Sequence, residues 1–440
     1  MLSEKRISII SRVNSLTFLV YVLLIFEGAL RKWAFPQFST VIFFIKDPFV
    51  IYIYALCFYY KLYPRNIYFT IALLLALLFS LLMSLQALLI PFNILAGIYG
   101  WRTYFFYLPL AFIIGSYYSK KDLIRIARFT CLVAIPIAVL TYIQYKSPFD
   151  SYINKNVGLG ESQAFTVIED IVRPSGTFSF TTGQVSFISS LLLMLFFNFF
   201  LKKDERFLSP YLFFTSIFAF FTSLAVSGSR GAYVSVLIIL AFLLLASFIL
   251  INKKQGFNIL AYSLLSFMLA FLIFYFVFDK EWDIITRRQE LAEAGEGSIL
   301  KRMLSIFINF EYIKHANFLG YGLGLSSGGG SFLVTGKKYF ALAEGDWARN
   351  ILEAGIFSGT IYVFYRIFLS VQIINEALKS LLKSKNPMPV VFLGFVLPSL
   401  LIGSITGNGT SNVYNWLFVG FSLALNRVYL EDTPETNLEE

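Results

Sequence analysis

Histidine and cysteine are nearly absent from this sequence. Its 440 residues include one histidine, His315, and two cysteines, Cys57 and Cys131, both set in apolar runs. A multi-histidine metal site, a zinc knuckle and a disulfide framework are therefore excluded. Charge is scarce too: Asp, Glu, Lys and Arg make up 14% of the chain, against about 25% in a soluble domain. That share rules out a disordered chain, a coiled coil and a soluble two-domain enzyme. No Asp-x-Asp pair occurs, and the nearest arrangement, Glu281-Trp-Asp283, suits a solvated loop start. There is no nucleotide-phosphate loop. Gly320, Gly322 and Gly324 lack the third glycine and the preceding strand of a dinucleotide fingerprint.

Apolar residues fill the space: 57% of the chain is hydrophobic and 18% aromatic, mainly 50 Phe and 26 Tyr. A membrane-spanning helix takes about 20 apolar residues, so about twelve would absorb this content. Apolar runs between charged, Pro or Gly breaks place them near 15–35, 40–60, 67–90, 98–118, 124–145, 183–201, 209–227, 231–251, 259–278, 350–372, 389–406 and 412–430. The expected fold is an all-α integral membrane protein of about twelve transmembrane helices. Lys5, Arg6 and Arg12 precede the first run as in a signal peptide. Glu27 and Arg31 interrupt that run, and no small-residue cleavage site follows, so it is expected to stay as the first span.

The net charge of +10 could suggest a nucleic-acid partner, but its distribution points to topology. Lys61/Arg65, Lys120/Lys121/Arg125/Arg128, Lys202/Lys203/Arg206, Lys253/Lys254 and Lys379/Lys383/Lys385 all fall in even-numbered gaps. The short odd-numbered gaps at 91–97 and 407–411 carry no Lys or Arg. The positive-inside rule then puts both termini in the cytoplasm. With Arg366 counted among the cytoplasmic groups, the basic excess falls almost entirely on that side, and the 279–349 loop is neutral. The expected organisation is 1–278 with spans one to nine and an outer loop at 146–182, a large outer loop at 279–349, spans ten to twelve at 350–430, and an acidic cytoplasmic tail at 431–440. A loop of that length inside a compact protein usually carries function.

Five constellations could carry chemistry. In Glu27-Gly-Ala-Leu-Arg31-Lys-Trp33, Glu27 and Arg31 share a helix face and either pair structurally or leave Arg31 for a site; Lys46-Asp47-Pro48 suits a structural helix break. Arg102, between Trp101 and Tyr104, either anchors at the interface or binds an anion. Ser227-Gly-Ser-Arg230-Gly-Ala-Tyr233 makes a short outer turn in which an Arg fork sits over a helix N-terminus, a combination suited to phosphate or pyrophosphate. Arg302 opens a helical stretch that leads to His315-Ala-Asn-Phe-Leu-Gly320-Tyr-Gly322-Leu-Gly324, a Gly-rich turn-like or mobile segment in which His315 alone suits structure better than catalysis. Glu344-Gly-Asp346-Trp347-Ala-Arg349-Asn350-Ile-Leu-Glu353-Ala-Gly355 runs into span ten. There Asp346 could cap the helix, Arg349 and Glu353 could pair, and Glu344 could serve as a general base. An outward site has no access to cytosolic sugar nucleotides, so the donors on that side are lipid-linked.

Three segments resemble the O-antigen ligase/polymerase superfamily of bacterial membrane glycosyltransferases: Arg173-Pro-Ser-Gly-Thr-Phe, Ser227-Gly-Ser-Arg230-Gly-Ala, and Arg302 followed by His315-Ala-Asn-Phe-Leu-Gly-Tyr-Gly-Leu-Gly. The resemblance implies a GT-C-like fold with its large periplasmic loop between spans nine and ten, in the bacterial inner membrane. It also implies inverting, metal-independent transfer of a glycan from undecaprenyl pyrophosphate on the periplasmic side, with no other cofactor. Arginines would hold the pyrophosphate: Arg230 and Arg302, then Arg102 and Arg173, then Arg31, with His315 nearby. Glu344 takes the position at which ligases of the family carry His, which tilts the resemblance toward a polymerase. Expected partners are lipid-linked repeat units, membrane lipid and a chain-length regulator, not nucleic acid. The alternatives are a ligase acting on lipid A core and a flippase of the same lipid-linked unit, although no internal repeat of the kind transporters carry is evident.

Overall fold

The computed structural model describes residues 2–90, 93–157, 172–250, 261, 314–336, 342–343 and 345–431. Among them the chain is all-α. In order come α1 (Leu2–Ala29), α2 (Ser39–Phe43), α3 (Asp47–Tyr59), α4 (Ile67–Leu89), α5 (Ile94–Phe105), α6 (Leu108–Tyr117), α7 (Lys120–Lys146), α8 (Thr181–Phe200), α9 (Pro210–Val226), α10 (Arg230–Ile249), α11 (Gly328–Thr335), α12 (Asp346–Ser384), α13 (Met388–Leu401) and α14 (Gly409–Glu431). Among the described residues, seven helical stretches are long and apolar enough to cross a membrane: Glu4–Ala34, Pro36–Tyr59, Ile67–Leu89, Lys120–Lys146, Thr181–Phe200, Arg230–Ile249 and Asp346–Ser384. The apolar helices α9 and α13 are shorter. Apart from residue 261 and Glu431, the expected ninth span at 259–278 and the tail at 431–440 lie outside the described residues.

Local chemistry explains the helix ends. Asn66 and Asn93 cap α4 and α5 by accepting backbone N–H groups, and Ser119 with Asp122 forms a reciprocal capping box on α7. The expected second span is split into α2 and α3, with Pro48 in the first turn of α3, where its missing N–H costs nothing. The expected fourth span also divides, into α5 and α6. Phe106 and Tyr107 fall between them, and Tyr54 Oη donates to the carbonyl of Phe106. At the second break the apolar run continues through the non-helical Phe106–Tyr107, which hydropathy alone does not register.

α14 runs through the middle of the bundle, against α6, α8, α12 and α13. Nearly every residue from Thr410 to Tyr429 is buried, including Asn412, Asn415, Ser422 and Asn426. Small residues allow the close approach: a methyl group on Gly420 would lie 2.8 Å from Ile114 Cβ, and one on Gly115 2.7 Å from Leu423 Cβ.

The two ends of the bundle differ. At one end Asn14 donates to the carbonyl of Tyr117 and to Asp122, Lys120 pairs with Glu205, Arg427 donates to the carbonyls of Gly115 and Tyr118, and Lys383 donates to that of Leu430. The opposite end gathers the last turn of α1, the 172–180 segment, the turn between α9 and α10, the Gly-rich segment and the start of α12. These are the turns that the charge pattern expects to face outward.

Candidate functional site

α1 widens into one π-helical turn, Leu30–Ala34, which turns Arg31 and Lys32 toward the segment before α8. Gly28 makes room for that segment: a Cβ there would lie 2.2 Å from backbone atoms of Phe178 and Ser179. Lys32 Nζ donates to Ser175 Oγ at 3.0 Å and to the Gly176 carbonyl at 2.6 Å. Arg31 donates to Ser179 Oγ at 3.1 Å, to Ser39 Oγ at 3.1 Å and to Glu27 at 3.0 Å. The expected Glu27–Arg31 pair therefore forms, and Glu27 also pairs with Lys46. Arg31 holds the Arg173–Phe180 strap in the same geometry.

The strap reaches the next constellation through a side chain. Arg173 Nη2 donates to Ser229 Oγ at 2.9 Å, linking residues 56 positions apart. Ser229 is the N-cap residue of α10 and Arg230, half-buried, its first residue; the turn closes with Gly228 at φ +53°. The N-cap residues of α10 and α8, Ser229 and Phe180, make no side-chain cap hydrogen bond. Asn408, which caps α14, donates to Thr182 Oγ1 in the first turn of α8 at 3.3 Å. Arg31, Arg173 and Arg230 thus converge on the end where α8, α10 and α14 present their N-termini, each adding positive potential.

Arg102 is used differently. Its Nε and Nη2 form a bidentate pair with Asp47 at 2.6 and 2.8 Å, and its guanidinium carbon lies 5.1 Å from the ring centres of both Phe43 and Phe44. Arg31 and Lys46 also lie over the Phe43 ring. This buried cluster ties α1, α2, α3 and α5 together. His315 is exposed, and its carbonyl accepts a hydrogen bond from Tyr321 Oη at 2.7 Å. Arg302 and Glu344 lie outside the described residues.

Two expectations for the start of span ten need correction. Asp346 does not cap α12; Gly345 occupies the N-cap position, and the Asp346 carboxylate is buried between Arg349 (3.0 Å), Arg366 and Thr406. Nor does Arg349 pair with Glu353, because Asp346 lies one turn earlier and takes the guanidinium. Arg366, counted above with the cytoplasmic charges, is fully buried and also donates to the carbonyl of Leu400 at 2.7 Å. It meets Asp346, 20 residues earlier, because the chain folds back at Gly355: a Cβ on Gly359 would lie 2.4 Å from the carbonyl oxygen of Asn350.

The Gly-rich segment is held firmly by its surroundings. α12 is broken at Gly355, where φ is +80° and ψ 165°. The break frees backbone groups, and the segment satisfies them. Ile356 N–H donates to the Asn317 carbonyl at 3.1 Å, and the carbonyl of Leu352 accepts from Tyr321 N–H at 2.8 Å. Gln86 of α4 donates to the carbonyls of Leu319 (2.6 Å) and Glu353 (2.9 Å) and accepts from Leu323 N–H (3.0 Å). Gly320 and Gly324 are required: a Cβ would lie 2.3 Å from the Glu353 carbonyl in one case and 2.2 Å from the Ala96 carbonyl in the other. The residues missed from sequence are Gln86, Glu353, Asp346 and Arg366 in these roles. For Gln86 a signal existed, since a lone amide in an apolar span is costly without a partner.

An apolar groove of about 430 Å³ lies between α4 and α12, lined by Tyr68, Ile71, Leu75, Ile361, Phe364, Tyr365 and Phe368. It lacks the charged groups gathered around α8 and α10. Comparison with protein-family models, characterised proteins and solved structures finds no match to this chain.

Proposed function

We propose that this chain is a polymerase of bacterial surface polysaccharide, a twelve-span GT-C-like glycosyltransferase of the inner membrane with its site facing the periplasm. The acceptor is a hydroxyl of the next lipid-linked repeat unit. Its oxygen attacks the anomeric carbon of the growing chain, the bond to undecaprenyl pyrophosphate breaks, and the carrier leaves with the electron pair while the configuration inverts. Glu344 takes the hydroxyl proton. Arg230 and Arg302 bind the pyrophosphate, with Arg173 and Arg31 shaping the same region. Arg102, engaged with Asp47, and the exposed His315 stand further back. Fixed cations and helix N-termini aimed at a leaving pyrophosphate stabilise the charge that grows on it in the transition state.

The observation that carries this reading is the Arg173–Ser229 hydrogen bond, which joins two of the resembling segments at the N-terminus of α10. Purified protein in detergent, supplied with lipid-linked repeat units, tests the assignment residue by residue. Glu344→Gln should lower turnover by about 10²-fold or more, the scale of a lost general base. Arg230→Ala should weaken carrier-lipid binding by about tenfold or more, the scale of a charge-assisted hydrogen bond. Wild-type turnover in the first variant removes the base, and unchanged carrier affinity in the second removes the phosphate cradle.

A further inference from the structure

Glu353 is a carboxylate inside the bundle, 1% exposed, on the last turn of α12 before its break. Its Oε1 accepts the backbone N–H of Ser326 at 2.6 Å, and its Oε2 accepts Tyr104 Oη at 3.1 Å. Ser326 passes the restraint on: its Oγ accepts the backbone N–H of Leu342 at 2.9 Å. Leu342 is four residues ahead of Asp346, which Arg349, Arg366 and Thr406 hold from the other side. The carbonyl of Glu353 is bound at the same time by Gln86.

We propose that Glu353, supported by Gln86 and Tyr104, is a positioning residue that locks the Gly-rich segment into the break of α12 and so fixes the path of the chain into that helix. Breaking a helix strands acceptors and donors that must find partners in an apolar setting. Here the replacements come from residues 317–326, so the break and the segment hold each other. Glu353 adds what backbone bonding cannot, a tie from this assembly to Ser326 and, through Ser326, to Leu342. A carboxylate is apt because it accepts from both sides at once and donates to neither. The lock itself needs no assumption about activity. Its consequence for turnover rests on the polymerase reading.

The test is hydrogen–deuterium exchange on the full-length protein in detergent, run beside steady-state kinetics with lipid-linked repeat units. In Glu353→Ala the amides of Ser326 and Leu342 should exchange at least about tenfold faster, while helices away from α12 stay protected. Turnover should fall by roughly tenfold with KM held within about threefold, as expected when geometry and not substrate binding is lost. Glu353→Gln should restore much of both, since its oxygen can accept from Ser326 while its amide donates to Tyr104. If Glu353→Ala does not fold, Gln86→Ala, which loosens the lock from α4, should speed exchange at Leu323 and Ser326. Unchanged protection at these amides in every folded variant, or loosening spread evenly over the bundle, overturns the proposal. A wild-type protein that makes no glycosidic product contradicts the polymerase reading and leaves the exchange result to decide the lock.

Discussion

Arg102 and Arg230 sit in similar sequence settings, each beside small or aromatic residues, yet their surroundings differ. Arg102 has a buried carboxylate across from it and aromatic rings around it; Arg230 stands at the start of α10, one residue beyond the Ser229 that Arg173 reaches. Removing one partner of a buried ion pair leaves the other charge stranded, at a cost of about 3–5 kcal/mol. Asp47→Ala should therefore lower the thermal unfolding temperature in detergent clearly, and the double change Asp47→Ala with Arg102→Met should recover part of the loss. Equal unfolding temperatures for the single variant and the wild type would show that the pair is dispensable. Sequence singled out both charged residues but could not pair them. They are 55 positions apart, and only the meeting of α3 with α5 brings them together.

At the scale of elements, helical content and most helix positions were legible, because apolar runs and their capping residues are local properties. What happens inside a run was not. The splits between α2 and α3 and between α5 and α6, and the break at Gly355, depend on neighbours that arrive from elsewhere in the chain. The glycines at 320 and 324 stood out by composition, but their reason is the carbonyl groups of α12 and α5 pressed against them. Gly28 is the same kind of residue in α1. Gly28→Ala should force the Phe178–Ser179 backbone away, loosening the contacts of Arg31 and Lys32, and should destabilise the protein by about 1–3 kcal/mol. Denaturation in detergent measures this, and an unchanged midpoint would mean that the strap is not packed on α1 as described.

For the whole molecule, Arg366 shows where counting charges by gap misleads: a basic residue assigned to the cytoplasm completes a buried network with Asp346. The two native cysteines are buried, so introduced thiols can report sidedness. A cysteine at His315 should react with a membrane-impermeant thiol reagent in spheroplasts, and one at Lys203 should react only after permeabilisation. The opposite pattern would invert the topology. The candidate site was legible only in part: the arginines could be named, since few charges interrupt the apolar background, but the hydrogen bond from Arg173 to Ser229 could not.

The most direct measurement is the product formed by the purified wild-type protein from lipid-linked repeat units alone. A ladder of glycan lengths on the carrier lipid is the predicted result. Transfer of a single chain to lipid A core, or movement of the unit across a bilayer with no new glycosidic bond, would contradict it.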